Sequence, residues 1–280
     1  MVPIVDIPEL NNEKPAEMQL TEWEAQLWDR GYLMIPKALP QPAVSHYLDR
    51  IKSFPPPYRA PTATSNVPRP GNIPTGAARV RLRLFEHGMD FVHLLENEPV
   101  FSLMERILGS KMHIISLQAH CMSRGNEITT IHPDELYLER PENVSDDVEY
   151  PPIINTINCH YYLVDVPEEL GPTCVVPGSH RACRDIRPED GDPPRWRGEG
   201  PVLLTVEAGD CVIYSNQTWH AGSENRTDQA RYAVVPAYSR RFVAQRFWPF
   251  LNYNLSRDIL DQCTPRQREL LGEHQRGAYG

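Results

Sequence analysis

The chain has 280 residues and a formal net charge of −9, from 28 basic and 37 acidic side chains. A chain of this length can bury a large core, and we expect one elaborated domain over residues 1–280. It has no Lys/Arg-rich run to form the positive surface that binds nucleic acid or anionic lipid, and no apolar stretch of about eighteen residues to cross a membrane. The composition therefore favours a globular protein with a small neutral or basic partner.

The N-terminal residues and the cysteines predict a cytoplasmic location. MVPIVDIPELNNEKPAEM carries acidic residues where a secretory signal has basic ones, and it lacks a continuous apolar core. The six cysteines form no CxxC pair and lie mostly inside apolar runs, which indicates reduced, buried thiols rather than disulfides.

Residues 1–110 are predicted to be mostly helical. Thr21-Glu-Trp-Glu24 matches a capping box, and it predicts a helix that begins there and ends at Gly31. Two more helices are expected, from Pro42 to Phe54 and between Asn97 and Gly109.

Between these two helices, the segment Pro55 to Gly76 is too rich in proline and glycine for regular structure. It predicts a loop over a pocket. Its PPPY also matches a ligand of WW domains, although a loop is the simpler interpretation. After it, polar and apolar residues alternate from Arg79 to Phe85, which predicts a strand with Arg79, Arg81 and Arg83 on one face.

Short strands dominate residues 111–240, without intervening helices. This pattern predicts a mainly β protein with N-terminal helices and a sandwich or jelly-roll core. The predicted strands are Ile114–Met122, Ile128–His132, Ile153–Val164, Thr173–Val176, Val202–Val206, Cys211–Tyr214 and Arg231–Tyr238. Residues 241–280 form a C-terminal extension with a last helix near Pro265–Leu271, expected to cover the pocket mouth or a second subunit of a homodimer.

A pair of metal-binding residue types stands in the segment His132-Pro-Asp134. On an extended backbone two residues apart, both side chains point to one side, as two ligands of one metal require. Pro133 favours this backbone, because it moves the preceding residue out of the helical region. The pair alone is also compatible with a polar turn in which Asp134 caps a backbone amide.

A third ligand is expected from a distant segment. His220 follows a predicted strand, and Arg231 begins another strand eleven positions later. Two histidines and one carboxylate on one side of an iron leave three coordination positions open, the facial triad of non-haem Fe(II) oxygenases. An arginine nearby suits a carboxylate, because its planar fork can bind both oxygens.

These motifs together resemble the phytanoyl-CoA dioxygenase family of Fe(II)/2-oxoglutarate oxygenases. The resemblance spans roughly residues 20–240 and rests on the order and spacing of several motifs. They are His132-x-Asp134, Gly171-Pro-Thr-Cys-Val-Val-Pro-Gly-Ser-His180, Ala208-Gly-Asp210, His220-Ala-Gly-Ser-Glu-Asn225 and Arg231. The resemblance implies a double-stranded β-helix (jelly-roll) core with His132, Asp134 and His220 on Fe(II).

The resemblance also implies contacts with the cosubstrate. Arg231 would hold the distal carboxylate of 2-oxoglutarate, with Thr173 nearby. Arg81 would serve its C-1 carboxylate, although Arg79 and Arg83 share the predicted face. The remaining expected positions are Gln118 and Thr129 at the cosubstrate, and Asn158, His160 and Tyr137 at the substrate pocket.

The reaction that the resemblance implies consumes O2 and 2-oxoglutarate and releases succinate and CO2. The expected outcome is hydroxylation of an unactivated C–H bond of a small metabolite, as in natural-product biosynthesis, while desaturation or ring rearrangement would need the same ligands. The carboxylate of Asp134 argues against a halogenase, in which the halide occupies that position. The alternative is a β-helix or cupin-type metal protein that does not turn over 2-oxoglutarate, and such a protein would not need Arg231.

Overall fold

The computed structural model describes residues 5–54, 78–124, 130–134, 136–148, 153–247 and 253–274. The predicted Pro-rich loop and Thr129 lie outside these residues. Six α-helices are found in the described part, four before the main run of strands and two after it. They are α1 Glu17–Arg30, α2 Gln41–Ser53, α3 Met89–His93, α4 Val100–Leu108, α5 Arg257–Leu260 and α6 Pro265–Leu270.

Nine strands of the described residues form two antiparallel sheets, as a jelly-roll core requires. They are β1 Tyr32–Ile35, β2 Ala78–Arg81, β3 His113–Met122, β4 Thr156–Tyr162, β5 Thr173–Val175, β6 Val202–Leu204, β7 Cys211–Ser215, β8 His220–Gly222 and β9 Arg231–Ser239. The larger sheet has the order β1-β7-β4-β9-β3-β2, and the smaller has the order β6-β5-β8. The predicted fold class is confirmed.

The two faces of the larger sheet have different partners. Side chains on its outer face, such as Ala119, Tyr161 and Val234, join the N-terminal helices in the main apolar core. Side chains on its inner face, such as Tyr162 and Ala233, face the smaller sheet across a second apolar cluster. Because side chains alternate along a strand, the strand register decides which residues reach the interior between the sheets.

The predicted start of the first helix is wrong, whereas its predicted end is correct. Helix α1 begins at Glu17, four residues before the expected cap, and its N-cap Ala16 makes no side-chain hydrogen bond. Thr21 instead lies inside the helix and donates its hydroxyl to the Glu17 carbonyl at 2.9 Å. The predicted end is correct, since Gly31 caps the helix in the left-handed conformation.

The predicted strand from Arg79 to Phe85 is too long. Strand β2 ends at Arg81, because Arg83 takes a left-handed backbone (φ 55°) and starts a 3₁₀ turn over Leu84–Glu86. Arg83 therefore does not share a strand face with Arg81, contrary to the prediction. The predicted strand over residues 128–132 is also not found in its described part, where His132 makes a single bridge to His220.

The described part of the C-terminal extension packs on the helical side of the molecule. Lys111 pairs with Glu269 at 2.8 Å, and Gln267 donates to Glu96 at 2.8 Å, which ties α6 to the outer layer rather than to the opening between the sheets. All six cysteines are free thiols. In the part of the chain that the structure describes, no helix combines the length and the hydropathy needed to span a membrane.

Candidate metal centre

Three side chains with metal-binding atoms converge at one end of the smaller sheet. One ligand atom from each of His132, Asp134 and His220 lies within 4.8 Å of the other two. The Nε2 atoms of both histidines lie 3.8 Å from Asp134 Oδ1. This spacing surrounds a position that a metal ion would share among all three, so the structure brings the predicted triad together.

Backbone hydrogen bonds hold the two ligand segments side by side. His132 and His220 exchange both amide–carbonyl bonds, at 3.0 and 2.9 Å. One step further, the Asp134 amide donates to the Asn216 carbonyl at 2.8 Å. The segments are 88 residues apart in the sequence, and this short ladder fixes their relative position.

Both histidines present the same ring nitrogen to the shared position. His132 Nδ1 lies 2.8 Å from the Thr130 carbonyl, and His220 Nδ1 lies 2.8 Å from the Thr218 carbonyl. A carbonyl can only accept, so each Nδ1 carries the proton and donates it. Each Nε2 then keeps a free lone pair, which is the form of imidazole that binds a metal.

Asp134 is oriented by a neighbour from the larger sheet. Asn158 donates its amide to Asp134 Oδ2 at 2.9 Å. The other oxygen, Oδ1, is the one that faces both histidines. The carboxylate is therefore set to give one oxygen to a metal, and with two imidazole nitrogens this donor set fits iron of the facial-triad type.

Burial keeps the second histidine neutral. The pKa of His220 lies below its ordinary value, first because of burial, while Asp134 acts in the opposite direction and His132 adds to the lowering. The His132 side chain is more open, at 47% exposure against 9% for His220. The site is thus reached from the side of His132.

Arg231 is a buried cation that has no acidic partner within the described part of the chain. It is 7% exposed at the start of β9, and it donates to the Gly171 carbonyl. The nearby carboxylate in the sequence, Asp228, pairs with Arg124 at 3.2 Å, and among the described residues no carboxylate forms an ion pair with Arg231. A buried charge of this kind is costly unless an anion meets it, which makes Arg231 a candidate anion-binding residue.

Two other predicted cosubstrate residues, Thr173 and Gln118, reach the interior between the two sheets. Thr173 is buried on the smaller sheet, and its hydroxyl lies 2.6 Å from that of Tyr162. Gln118 pairs with Val235, an inner-face residue, and therefore points into the interior.

Arg81 lies on the wrong face for its predicted role. It pairs with Ala119, an outer-face residue, and its guanidinium lies over the Phe54 ring at 4.9 Å. The register of β2 and β3 thus directs Arg81 to the helices and away from the triad. The sequence pattern could not show this, because a shift of one residue in register exchanges the two faces.

The predicted pocket residues also separate. Asn158 and His160 lie on the inner face of β4, while Tyr137 is 36% exposed on the loop after Asp134. His160 Nε2 is hydrogen-bonded to the Tyr214 hydroxyl at 2.9 Å, and the Tyr214 ring packs on His220 with centroids 4.5 Å apart. His180, the last residue of the predicted Gly171–His180 motif, bonds the Trp28 carbonyl at 3.0 Å through Nε2.

Sequence reasoning missed two inner-face roles. Asn158 was expected in the substrate pocket, but it also holds a metal ligand. His120 was not assigned to the site, although it faces His160 edge-on with centroids 5.6 Å apart. The alternation of β3 and β4 carried the signal, since Gln118 and His120, like Asn158 and His160, are two apart and share a face.

Comparisons with known proteins agree with this architecture. The family model described as phytanoyl-CoA dioxygenase (PhyH) matches residues 28–233. Among curated proteins, Dioxygenase af480 of Aspergillus fumigatus is 23% identical over 270 residues, covering 95% of this chain and 81% of that protein.

Solved structures with a similar fold include two enzymes bound to metal and cosubstrate. The epimerase SnoN, in complex with Fe3+, alpha ketoglutarate and nogalamycin RO, aligns with a TM-score of 0.60 and 22% identity over 82% of this chain and 87% of its own. HygX from Streptomyces hygroscopicus, with nickel, 2-oxoglutarate and hygromycin B bound, aligns with a TM-score of 0.60 and 13% identity over 86% of this chain and 96% of its own. At these identities the likeness concerns the fold.

Proposed function

Because the chain belongs to the phytanoyl-CoA dioxygenase family, we propose that it is an Fe(II)/2-oxoglutarate-dependent oxygenase that hydroxylates an unactivated C–H bond of a small metabolite. The observation that carries this proposal is the pairing of a facial triad with a buried arginine. His132, Asp134 and His220 have the donor set of Fe(II), and Arg231 has no acidic partner among the described residues. A metal protein that does not use 2-oxoglutarate would have no need for that buried cation.

Each residue has a distinct task in this function. His132 Nε2, His220 Nε2 and one oxygen of Asp134 would hold Fe(II), which with 2-oxoglutarate and O2 supplies the oxidant and leaves succinate and CO2. Asn158 keeps Asp134 Oδ1 directed at the histidines. Arg231 would pair with the distal carboxylate of the cosubstrate through its planar fork.

The interior offers the substrate mostly neutral polar groups. Gln118, Ser116, His160 and Tyr214 line the inner face of the larger sheet. Burial, first among its causes, holds the pKa of His160 well below its ordinary value, so its ring is neutral at neutral pH. A natural product rich in hydroxyl groups suits such a lining, and the ligands named with SnoN and HygX, nogalamycin RO and hygromycin B, support a natural-product substrate.

The proposal is tested by binding under anaerobic conditions. Fe(II) and 2-oxoglutarate together are expected to produce a visible charge-transfer band with the wild-type protein, and His132→Ala is expected to remove it. His93→Ala, which changes a histidine bonded to the Met89 carbonyl on α3, is the matched control and should retain the band. Folded wild-type protein without a band would overturn the assignment. A substrate screen read as succinate formation above the uncoupled rate would then identify the metabolite.

A further inference from the structure

The inner face of β3 carries an imidazole with no assigned task. His120 pairs across the sheet with Ala233 of β9, a residue of the interior cluster, so its side chain points between the two sheets. On the other side it pairs with Val80 of β2, which is apolar. His120 is therefore a polar group on the inner face of the sheet, beside the candidate anion site.

His120 lies next to Arg231. Arg231 pairs with Met122 and His120 pairs with Ala233, which makes His120 and Arg231 diagonal neighbours on one face of an antiparallel pair. Diagonal neighbours lie roughly 7–8 Å apart, within reach of two long side chains that meet at one ligand. A carboxylate bound by Arg231 would thus lie beside the His120 ring.

The ring nitrogens of His120 make no hydrogen bond to the residues that the structure describes. The ring contacts His160 edge-on at 5.6 Å between centroids. Both charged groups of the site act on this ring. Burial is the main cause that lowers the pKa of His120 to about 4. Arg231 also lowers this pKa, whereas Asp134 raises it. A neutral imidazole retains one N–H that can donate.

The expected second basic group is missing from this face. Arg81 was predicted to assist in binding the cosubstrate, but it lies on the outer face against Phe54. Among the side chains that the structure describes, Arg231 is then the guanidinium placed to meet a dianionic cosubstrate. An imidazole N–H beside Arg231 supplies a further donor without adding a buried charge.

We propose that His120 donates a hydrogen bond to the 2-oxoglutarate carboxylate that pairs with Arg231. This role rests on the proposed function, and it makes His120 a cosubstrate-binding residue outside the metal ligands. It also explains why a histidine stands between Val80 and Ala233, two apolar cross-strand neighbours. The bond would help to discriminate 2-oxoglutarate from 2-oxo acids that lack the distal carboxylate.

The test measures ligand binding rather than turnover. Zn(II)-loaded protein is titrated by calorimetry with 2-oxoglutarate and with 2-oxobutyrate, which keeps the keto acid end and lacks the distal carboxylate. For His120→Phe we expect 2-oxoglutarate to bind roughly ten- to fiftyfold more weakly, the scale of losing a hydrogen bond to a charged group. The affinity for 2-oxobutyrate should stay within about twofold, because the lost bond involves a group that this ligand does not have.

Two further variants separate the role of the ring from its shape. His120→Asn keeps a side-chain N–H donor and should recover part of the affinity for 2-oxoglutarate. His93→Phe makes the same change at a histidine of α3 that bonds the Met89 carbonyl, outside the inner face, and it should change neither affinity. Zn(II) affinity should be equal in all variants, which would show that the triad is intact.

The remaining outcomes would overturn either the role of His120 or the proposed function. Equal weakening of both ligands by His120→Phe, or no weakening of 2-oxoglutarate, would overturn the role of His120. Wild-type protein that binds Zn(II) but neither 2-oxo acid would instead overturn the proposed function.

Discussion

Asn158 donates its side-chain amide to Asp134 Oδ2 at 2.9 Å, and so leaves Asp134 Oδ1 as the oxygen that lies 3.8 Å from the Nε2 atoms of both histidines. The bond joins an inner-face position of the larger sheet to a ligand on the adjacent loop. It restricts rotation of the carboxylate before any metal binds. A ligand fixed in this way loses less conformational freedom on binding.

Replacing Asn158 is therefore expected to weaken metal binding. Asn158→Leu keeps the side-chain volume but removes the donor, and we predict about a tenfold to hundredfold loss of affinity for Fe(II) or Mn(II), the usual cost of removing a partner of a metal ligand. Calorimetry under anaerobic conditions measures this loss. Gln118→Leu, on the same inner face but bonded to Ser116, is the control and should bind metal as the wild type does. Unchanged affinity in Asn158→Leu would mean that the bond does not orient the ligand.

Arg231 is predicted to set the affinity for 2-oxoglutarate but not for metal. Arg231→Met should weaken binding of 2-oxoglutarate to the Zn(II)-loaded protein roughly thirtyfold or more, as expected when one partner of a buried charge pair is removed. The affinity of Arg231→Lys for 2-oxoglutarate should lie between those of the wild type and Arg231→Met, since a lysine offers a point charge without the planar fork. Arg124→Met removes an exposed arginine that pairs with Asp228, and it should have no effect. If Arg231→Met left the affinity unchanged, another residue would hold the distal carboxylate.

The features that could be predicted from the sequence are those set by residues close together in the chain. Side chains two residues apart on a strand point to the same side. His132 and Asp134 could therefore be assigned to one metal ion from their spacing alone. The resemblance to the phytanoyl-CoA dioxygenase family, which the family match over residues 28–233 confirms, then indicated His220 and the jelly-roll. The end of α1 at Gly31 was also predictable, because a left-handed cap favours glycine.

Other features depended on contacts between distant segments. The resemblance assigned Arg81 to the cosubstrate, but the pairing of Arg81 with Ala119 places it on the outer face of the sheet. The contact between Asn158 and Asp134 arises only when β4 and the ligand loop meet. The predicted start of α1 was wrong because the Thr21 hydroxyl donates to the Glu17 carbonyl from inside the helix instead of capping it. A capping pattern in the sequence does not exclude this alternative.

The loop region beside the smaller sheet contains an ion cluster that should make stability depend on pH. Arg184, with its side chain 3% exposed, lies 2.8 Å from Asp190 and 2.6 Å from Asp146. The hydrogen bond from Arg184 is the main cause that holds the pKa of Asp146 below its ordinary value. For Asp190, burial acts to raise the pKa, but hydrogen bonds from Arg184 and from the Arg187 amide outweigh it and the net direction is down.

A carboxylate with a lowered pKa in the folded state stabilises the fold above its unfolded pKa of about 4, and this contribution is lost as the pH falls through the lower folded value. We therefore predict that the free energy of unfolding falls between pH 5 and pH 3, and that Asp190→Asn makes this fall shallower. Urea unfolding at several pH values measures it. Asp185→Asn, at an exposed position, should retain the wild-type slope. Parallel pH profiles for Asp190→Asn and the wild type would contradict the assignment.

Gly31 connects the end of α1 to the segment that carries His220. Its carbonyl accepts from the Ser215 amide and from the Thr218 hydroxyl, both at 2.9 Å. A Cβ at Gly31 would lie 2.4 Å from His180 Nδ1 and 2.7 Å from Thr218 Oγ1, both on buried side chains. The close approach of this turn thus requires glycine for space as well as for its backbone angle.

Gly178 provides a control for the backbone angle alone. Its φ and ψ of 76° and −10° nearly match the 79° and −3° of Gly31, but a Cβ there would meet only Trp196, at 3.4 Å. Gly178→Ala is expected to cost roughly 1–2 kcal/mol for the left-handed backbone. Gly31→Ala should cost about 1–3 kcal/mol more, because the side chains around it must move. Urea unfolding compares the two variants. Equal losses would show that the packing around Gly31 adapts to a methyl group, whereas a larger loss in Gly31→Ala, accompanied by weaker metal binding, would show that this turn supports the position of His220.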